Sequence, residues 1–260
     1  RYAWQRNPRG TSTRGLPCDA FINFLENHDQ VANSLDGRRL RARTSPGLHR
    51  AATALLLLMP GIPMLFQGQE FGSSAPFQYF ADLSPELAPR VQAGRADFLA
   101  QFPSLAPEHM RMRVPPPHDP ATFERSRLDW AEREANKDLV RLHADLIVLR
   151  HTGKAWLNGP AVDGAALNDT AFVLRYFAAA PGDERLLIVN FGRDIVCGSL
   201  AEPLVAPPDG CTWRTAWSSE DPGYGGSGAA GPVEADGWRI AGQAAFLLEP
   251  VDGGGGTEQA

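Results

Sequence analysis

Phe21-Ile22-Asn23-Phe24-Leu25 is a short apolar run of the size of a buried strand, and Glu26-Asn27-His28-Asp29-Gln30 follows it at once as an abruptly polar cluster. The pattern returns at Ile62-Pro63-Met64-Leu65-Phe66, which gives way to Gln67-Gly68-Gln69-Glu70. Pro63 would demote a central strand, but the start of a strand tolerates it. Between the two runs, residues 48–59 are apolar almost all round, as in a helix packed on several sides. Thr44 or Ser45 can cap that helix, Pro46 suits its first position, and Pro60-Gly61 stops it. Strand, helix, strand, with each strand ending in polar residues, is the order of a parallel α/β fold whose chemistry gathers at the C-terminal strand ends. The pattern predicts the C-terminal part of a (β/α)8 TIM barrel.

Outward from this unit the texture changes. Residues 1–20 are rich in Arg, Gly and Pro and are expected as loop. Residues 72–136 are long and Pro-rich, an excursion expected to contain short helices. Asn136 can cap a further helix whose face carries Leu139, Leu142, His143, Leu146, Ile147 and Leu149, with Gly153 ending it. From Trp156 the β-rich runs 171–177, 185–191, 212–217 and 244–248 are separated by turn signals such as Pro181-Gly182-Asp183 and Asp209-Gly210. These predict a small antiparallel β-sandwich domain over 153–252, after a barrel portion over 1–152 and before a flexible tail over 253–260. The expected fold class is therefore α/β plus all-β.

A chain of 260 residues that is 43% hydrophobic can bury a sizeable core. The net charge of −5 argues against nucleic acid or an anionic membrane as the main partner. Arg38-Arg39-Leu40-Arg41-Ala42-Arg43 is a local exception, but no aromatic residue interleaves with it, and a solvated face is the preferred reading. The longest apolar run, 51–59, is too short to span a bilayer. Cys18, Cys197 and Cys211 form no CxxC pair, which suits reduced thiols in a reducing compartment. His49, His118, His143 and His151 are not spaced as metal ligands, and neither a metal nor a cofactor is expected.

The chemistry concentrates at Asn27-His28-Asp29. A carboxylate placed directly after a strand, beside an imidazole and an amide, can grip sugar hydroxyls and stabilise positive charge at an anomeric carbon. On the tripeptide alone, a strand-terminal turn is an equal reading. Phe71, Phe77, Tyr79 and Phe80 can stack on sugar rings or simply fill a core. Glu70 can face a cleft or make a structural hydrogen bond, and Asp129-Trp130 suits packing better than catalysis.

Residues 24–30 resemble the segment after barrel strand seven of the alpha-amylase family, and residues 62–72 resemble its segment around strand eight, with one helix between them as that family requires. The stretch from Gln69 to Phe77 with Tyr79-Phe80, Gly94-Arg95 with Phe98, Asp119-Pro120-Ala121-Thr122-Phe123 and Leu128-Asp129-Trp130 is similar to the maltooligosyltrehalose trehalohydrolases within that family. The resemblance runs over residues 14–150 and more weakly beyond. It implies a cytoplasmic retaining glycosidase of trehalose biosynthesis. The enzyme would hydrolyse the α-1,4 bond next to the terminal trehalose unit of maltooligosyltrehalose, or act on another α-glucan. Asp29 then matches the third catalytic carboxylate, the transition-state stabiliser. His28 matches a histidine that binds the same sugar, and Gln30, Val31, Ala32 and Asn33 continue the loop lining that subsite. The nucleophile and the acid/base belong to earlier strands, so they are expected upstream of Arg1. The chain is read as a fragment, inactive by itself. Another alpha-amylase-family enzyme, such as a branching enzyme, and a non-catalytic glucan-binding remnant are the alternatives.

Overall fold

The computed structural model describes residues 10, 12–153, 156, 161–178, 180 and 182–253. The loop expected over residues 1–9 and at 11, Pro181 of the predicted turn, and residues 254–260 of the predicted tail lie outside them. Gly253, placed in that tail by sequence, is held instead by its N–H to the Gly210 carbonyl at 2.9 Å.

β1 (Ile22–Asn23) and β2 (Ile62–Pro63) pair in parallel, Ile22 opposite Ile62 and Asn23 opposite Pro63. Each is two residues long where five were expected. Ile22 is 61% exposed and Ile62 49%, so the pair is not buried on both faces as parallel strands normally are. No third strand joins it among the described residues, and these alone close no barrel.

α1 (His28–Ala32) follows β1, and α2 (Pro46–Leu58) connects to β2. Ser45 caps α2, its Oγ accepting from the Leu48 N–H at 3.2 Å. Buried residues lie all round α2, as its apolar pattern demands. Its last carbonyls, which have no partner within a helix, are taken up from outside. Arg150 donates to the Leu57 and Met59 oxygens, both at 2.9 Å, while Tyr176 Oη (2.6 Å) and Trp156 Nε1 (2.7 Å) donate to the Leu58 oxygen.

The excursion over 72–136 holds α3 (Ala88–Leu99), α4 (Glu108–Arg111), α5 (Pro120–Ser126) and α6 (Glu132–Ala135). α7 (Lys137–Thr152) runs where the periodicity placed it, burying Leu139, Leu142, His143 and Leu146. The Asn136 side chain does not cap it. It donates instead to the Phe71 carbonyl (3.0 Å) and accepts from Arg41 (3.1 Å), joining the excursion to α7.

Ten strands are described in all. The eight after β2 are β3 (Ala161–Ala166), β4 (Ala171–Phe177), β5 (Arg185–Asn190), β6 (Ile195–Cys197), β7 (Cys211–Ser218), β8 (Val233–Glu234), β9 (Gly237–Ile240) and β10 (Ala244–Asp252). One antiparallel sheet has the order β3-β4-β5-β10-β7, and a second has β6-β9-β8. One face of the larger sheet, through Tyr176, Leu187, Val189, Ala245 and Leu247, packs on Ala51, Ala54, Leu57 and Leu58 of α2 and on Leu139, Leu142 and Leu146 of α7. The opposite face, with Val173, Leu186, Ile188, Phe246 and Leu248, packs with Ile240 and, more peripherally, Ile195 and Trp238 of the smaller sheet. The first of these cores crosses the expected boundary at 152/153.

A buried ion pair reinforces that crossing. Arg50 of α2 donates to Glu220 at 2.8 Å, to the Ser219 carbonyl at 2.8 Å and to the Gly225 carbonyl at 3.0 Å. Ser227 closes the network on the other carboxylate oxygen. Burial pushes the Glu220 carboxyl up, but hydrogen bonds from Arg50 and Ser227 outweigh it and hold the group below the usual carboxylate range.

Candidate functional site

The chain leaves β1 and turns inward. Glu26, only 5% exposed, accepts from the Leu40 N–H at 2.7 Å and lies 3.7 Å from Arg39. Arg39, 3% exposed, donates to the carbonyls of Ala75 (2.8 Å) and Gln67 (2.7 Å) and stands over the Phe66 ring. Arg41 donates to the Gly72 carbonyl at 2.7 Å. The arginine run is thus not a solvated face. Arg38 and Arg43 are exposed, while Arg39 and Arg41 hold the loop around β2 in place.

Asn27 caps α1, its Oδ1 accepting from the Gln30 N–H at 2.9 Å. His28 and Asp29 occupy the first turn, both side chains largely exposed, with His28 Nε2 3.5 Å from Asp29 Oδ1. The turn reading holds: the segment is a capped helical turn that presents a carboxylate. Val31 and Ala32 form the buried side of α1.

His28, Asp29, Ala32 and Asn33 border a cleft of about 540 Å³ whose other walls are Phe77, Gln78, Tyr79 and Phe80 together with Val91, Arg95 and Phe98 of α3. Gln30 and Val31, expected in the same subsite, are not part of its lining: Val31 packs inward, and Gln30 is exposed elsewhere. The aromatic wall is a chain of edge-on rings, Phe66 to Phe77 at 5.1 Å, Phe77 to Phe80 at 5.7 Å and Phe80 to Phe123 at 5.1 Å. Gly37 locks its start. Its carbonyl accepts from the Phe77 N–H at 2.8 Å, and its φ of +63° with a Cβ position 2.5 Å from the Phe77 oxygen leaves no room for another residue.

Phe71, grouped with these aromatics in the sequence, is fully buried against Trp130 and belongs to the core. Glu70 does not line the cleft, though its charge acts on Arg39 and His143. Arg95 is the residue that sequence reasoning left without a role. It donates to the Ala32 carbonyl at 2.7 Å and to Asn33 Oδ1 at 3.3 Å, and lies 4.7 Å above the centre of the Tyr79 ring. Burial draws its pKa down, partly offset by Tyr79 and Asp29. Asp29 is the one carboxylate among the described residues bordering the cleft. Among the described residues, no three His, Cys, Asp or Glu side chains are grouped to hold a metal ion, and no helix is long and apolar enough to cross a membrane.

Over 192 residues the chain is 34% identical to a malto-oligosyltrehalose trehalohydrolase of Deinococcus radiodurans, a match covering 73% of this chain and 31% of that protein. It is 41% identical over 138 residues to the Arthrobacter ramosus enzyme of the same name, covering 52% and 23%. With that of Mycobacterium tuberculosis it shares 36% over 219 residues, covering 83% and 35%. The chain is a relative of the malto-oligosyltrehalose trehalohydrolases, of the alpha-amylase family. It spans about a third of the length of the trehalohydrolases it matches. A family described as a domain of unknown function, DUF3459, matches residues 161–247, from β3 into β10. Among solved structures, a candidate alpha amylase from Salmonella typhimurium superposes with a TM-score of 0.69 and 27% identity, covering 93% of this chain and 37% of that one. The Bacillus licheniformis trehalose-6-phosphate hydrolase, at TM-score 0.52 and 14% identity over 89% of this chain and 43% of that one, shares the fold. The chain carries a mixed α/β fold with antiparallel sheets, consistent with the alpha-amylase superfamily.

Proposed function

We propose that the cleft binds an α-glucan chain, and that Asp29 is the transition-state-stabilising carboxylate of a trehalohydrolase. That enzyme would hydrolyse the α-1,4 bond next to the terminal trehalose unit of maltooligosyltrehalose with retention. The observation that carries this reading is that Asp29 and His28 border the same cleft as Phe77, Tyr79, Phe80 and Phe98. Faces of sugar rings stack on aromatic side chains, and hydroxyls are taken by carboxylate and imidazole. His28 and Asn33 would share the sugar held by Asp29. In the same proposal, 1–152 is the last part of a (β/α)8 barrel and 153–252 a β-sandwich. The exposure of Ile22 and Ile62 supports a parallel pair that further strands cover.

A retaining glycosidase needs two carboxyl groups about 5–5.5 Å apart, one as nucleophile and one as acid/base. Among the described residues, the cleft lining supplies a single carboxylate. The chain by itself is therefore expected to bind glucan without cleaving it. Calorimetric titration with maltoheptaose should show binding that Asp29→Asn weakens about tenfold, the loss of a charge-assisted hydrogen bond or two. Incubation with maltooligosyltrehalose should release no trehalose. Binding indifferent to Asp29→Asn would remove the assignment of this residue, and trehalose release would remove the claim of a missing pair.

A further inference from the structure

α3 forms one wall of the cleft, yet only Ala88 and Leu99 of its twelve residues are buried. On its other side lies a second cavity of about 350 Å³, bordered by Leu99, Glu108, Arg111 and Met112 among others, and by Arg95 itself. A helix between two cavities has little apolar packing to fix its position. The polar tie is Arg95. Its guanidinium takes the Ala32 carbonyl and the Asn33 side chain at the end of α1 while lying over Tyr79. One planar group thus touches three walls of the cleft: α3, the aromatic segment and the turn that carries Asp29.

We propose that Arg95 is a positioning residue that fixes the spacing between the Asp29 carboxylate and the aromatic wall. The proposal rests on the glucan reading of the cleft for its purpose, though not for its geometry. A guanidinium suits the task because its fork donates in two directions while its face stacks on a ring, which a lysine ammonium cannot do at once.

The test uses the 260-residue chain with Arg95→Gln and Arg95→Lys, and Arg214→Gln on β7 as an exposed control outside the cleft lining. Two quantities are read, hydrogen exchange at the Val31, Asn33 and Ser34 amides and affinity for maltoheptaose. In Arg95→Gln both exchange and dissociation constant are expected to rise about tenfold, as for a lost hydrogen bond from a charged group. The melting temperature should fall by only about 2–4 °C, too little to unfold the chain at the assay temperature, so the tenfold affinity loss reports the cleft and not the folded fraction. Arg95→Lys should recover part of the exchange protection and less of the affinity. Unchanged exchange, unchanged affinity, or an affinity loss that only tracks a fall in melting temperature overturns the proposal. Should Arg95→Gln fail to fold, Tyr79→Leu removes the stacking partner alone, and an unaltered Asn33 exchange rate there overturns it equally. Failure of the wild-type chain to bind maltoheptaose would strike the glucan reading, leaving the exchange data to decide the tie.

Discussion

Glu220 and Arg50 are each under a tenth exposed, and each is the other's neutralising partner. Removing one leaves a buried, uncompensated charge, which costs about 3–5 kcal/mol. Arg50→Ala should lower stability by that amount in chemical denaturation. Glu220→Gln, which keeps the shape and some hydrogen bonds, should cost less, and equal losses for the two would show that charge is not what matters. None of this was visible beforehand, because a pair 170 positions apart leaves no local pattern. Arg39 shows the opposite difficulty. Its neighbours Arg38 and Arg43 do face solvent, and a charge run was a fair sign of a solvated face. What it could not disclose were the carbonyls of Gln67 and Ala75, which a loop turning inward leaves for a guanidinium to satisfy. The turn at Asn27-His28-Asp29 is legible locally, since a capped turn after a strand needs only its own residues. The role of Arg95 is not, because its hydrogen-bond partners sit more than sixty residues away.

Among the elements, α2 was legible almost to the residue, since its cap, its proline and its all-round apolar pattern are local signals. α7 was legible from the helical spacing of its apolar face, although Asn136 does not cap it and Ile147 of that face is exposed. The short strands β6, β8 and β9 were not, being two to four residues long and stabilised by pairing across distant loops. α2 also carries a pH dependence. His49 is 4% exposed, and burial, with help from His143 and nearby arginines, lowers its pKa to about 4. The unfolded chain, with an ordinary imidazole near pH 6.5, therefore takes up the proton first. The stability this group contributes is fully present above about pH 6.5 and is lost as pH falls toward 4, on the order of 2–3 kcal/mol. His143, also lowered by burial, acts in the same direction. Melting temperatures recorded between pH 7 and pH 4.5 should fall steeply for the wild type and less steeply for His49→Gln. Parallel curves would exclude His49 as a source.

Across the whole molecule, the core joining α2 and α7 to β4, β5 and β10 predicts one cooperative transition in place of two. Helical ellipticity and near-ultraviolet ellipticity of the packed aromatic side chains should report the same midpoint. Two separated midpoints would mean that the helices and the sheets unfold independently and that the shared core contributes little. Composition and texture revealed that helices precede strands. They gave no sign that the sheet uses the helices as its second layer, because which face meets which is a property of the assembled chain.

That shared layer bears on how such chains are cut and recombined. The family match at residues 161–247 invites treatment of this segment as a transplantable cassette. Severed at 152, the cassette would carry Tyr176, Leu187, Val189 and Leu247 into water, and α2 would keep carbonyls that Tyr176 and Trp156 once served. A graft that travels well should therefore begin at Ser45 and bring both long helices with it as its own floor.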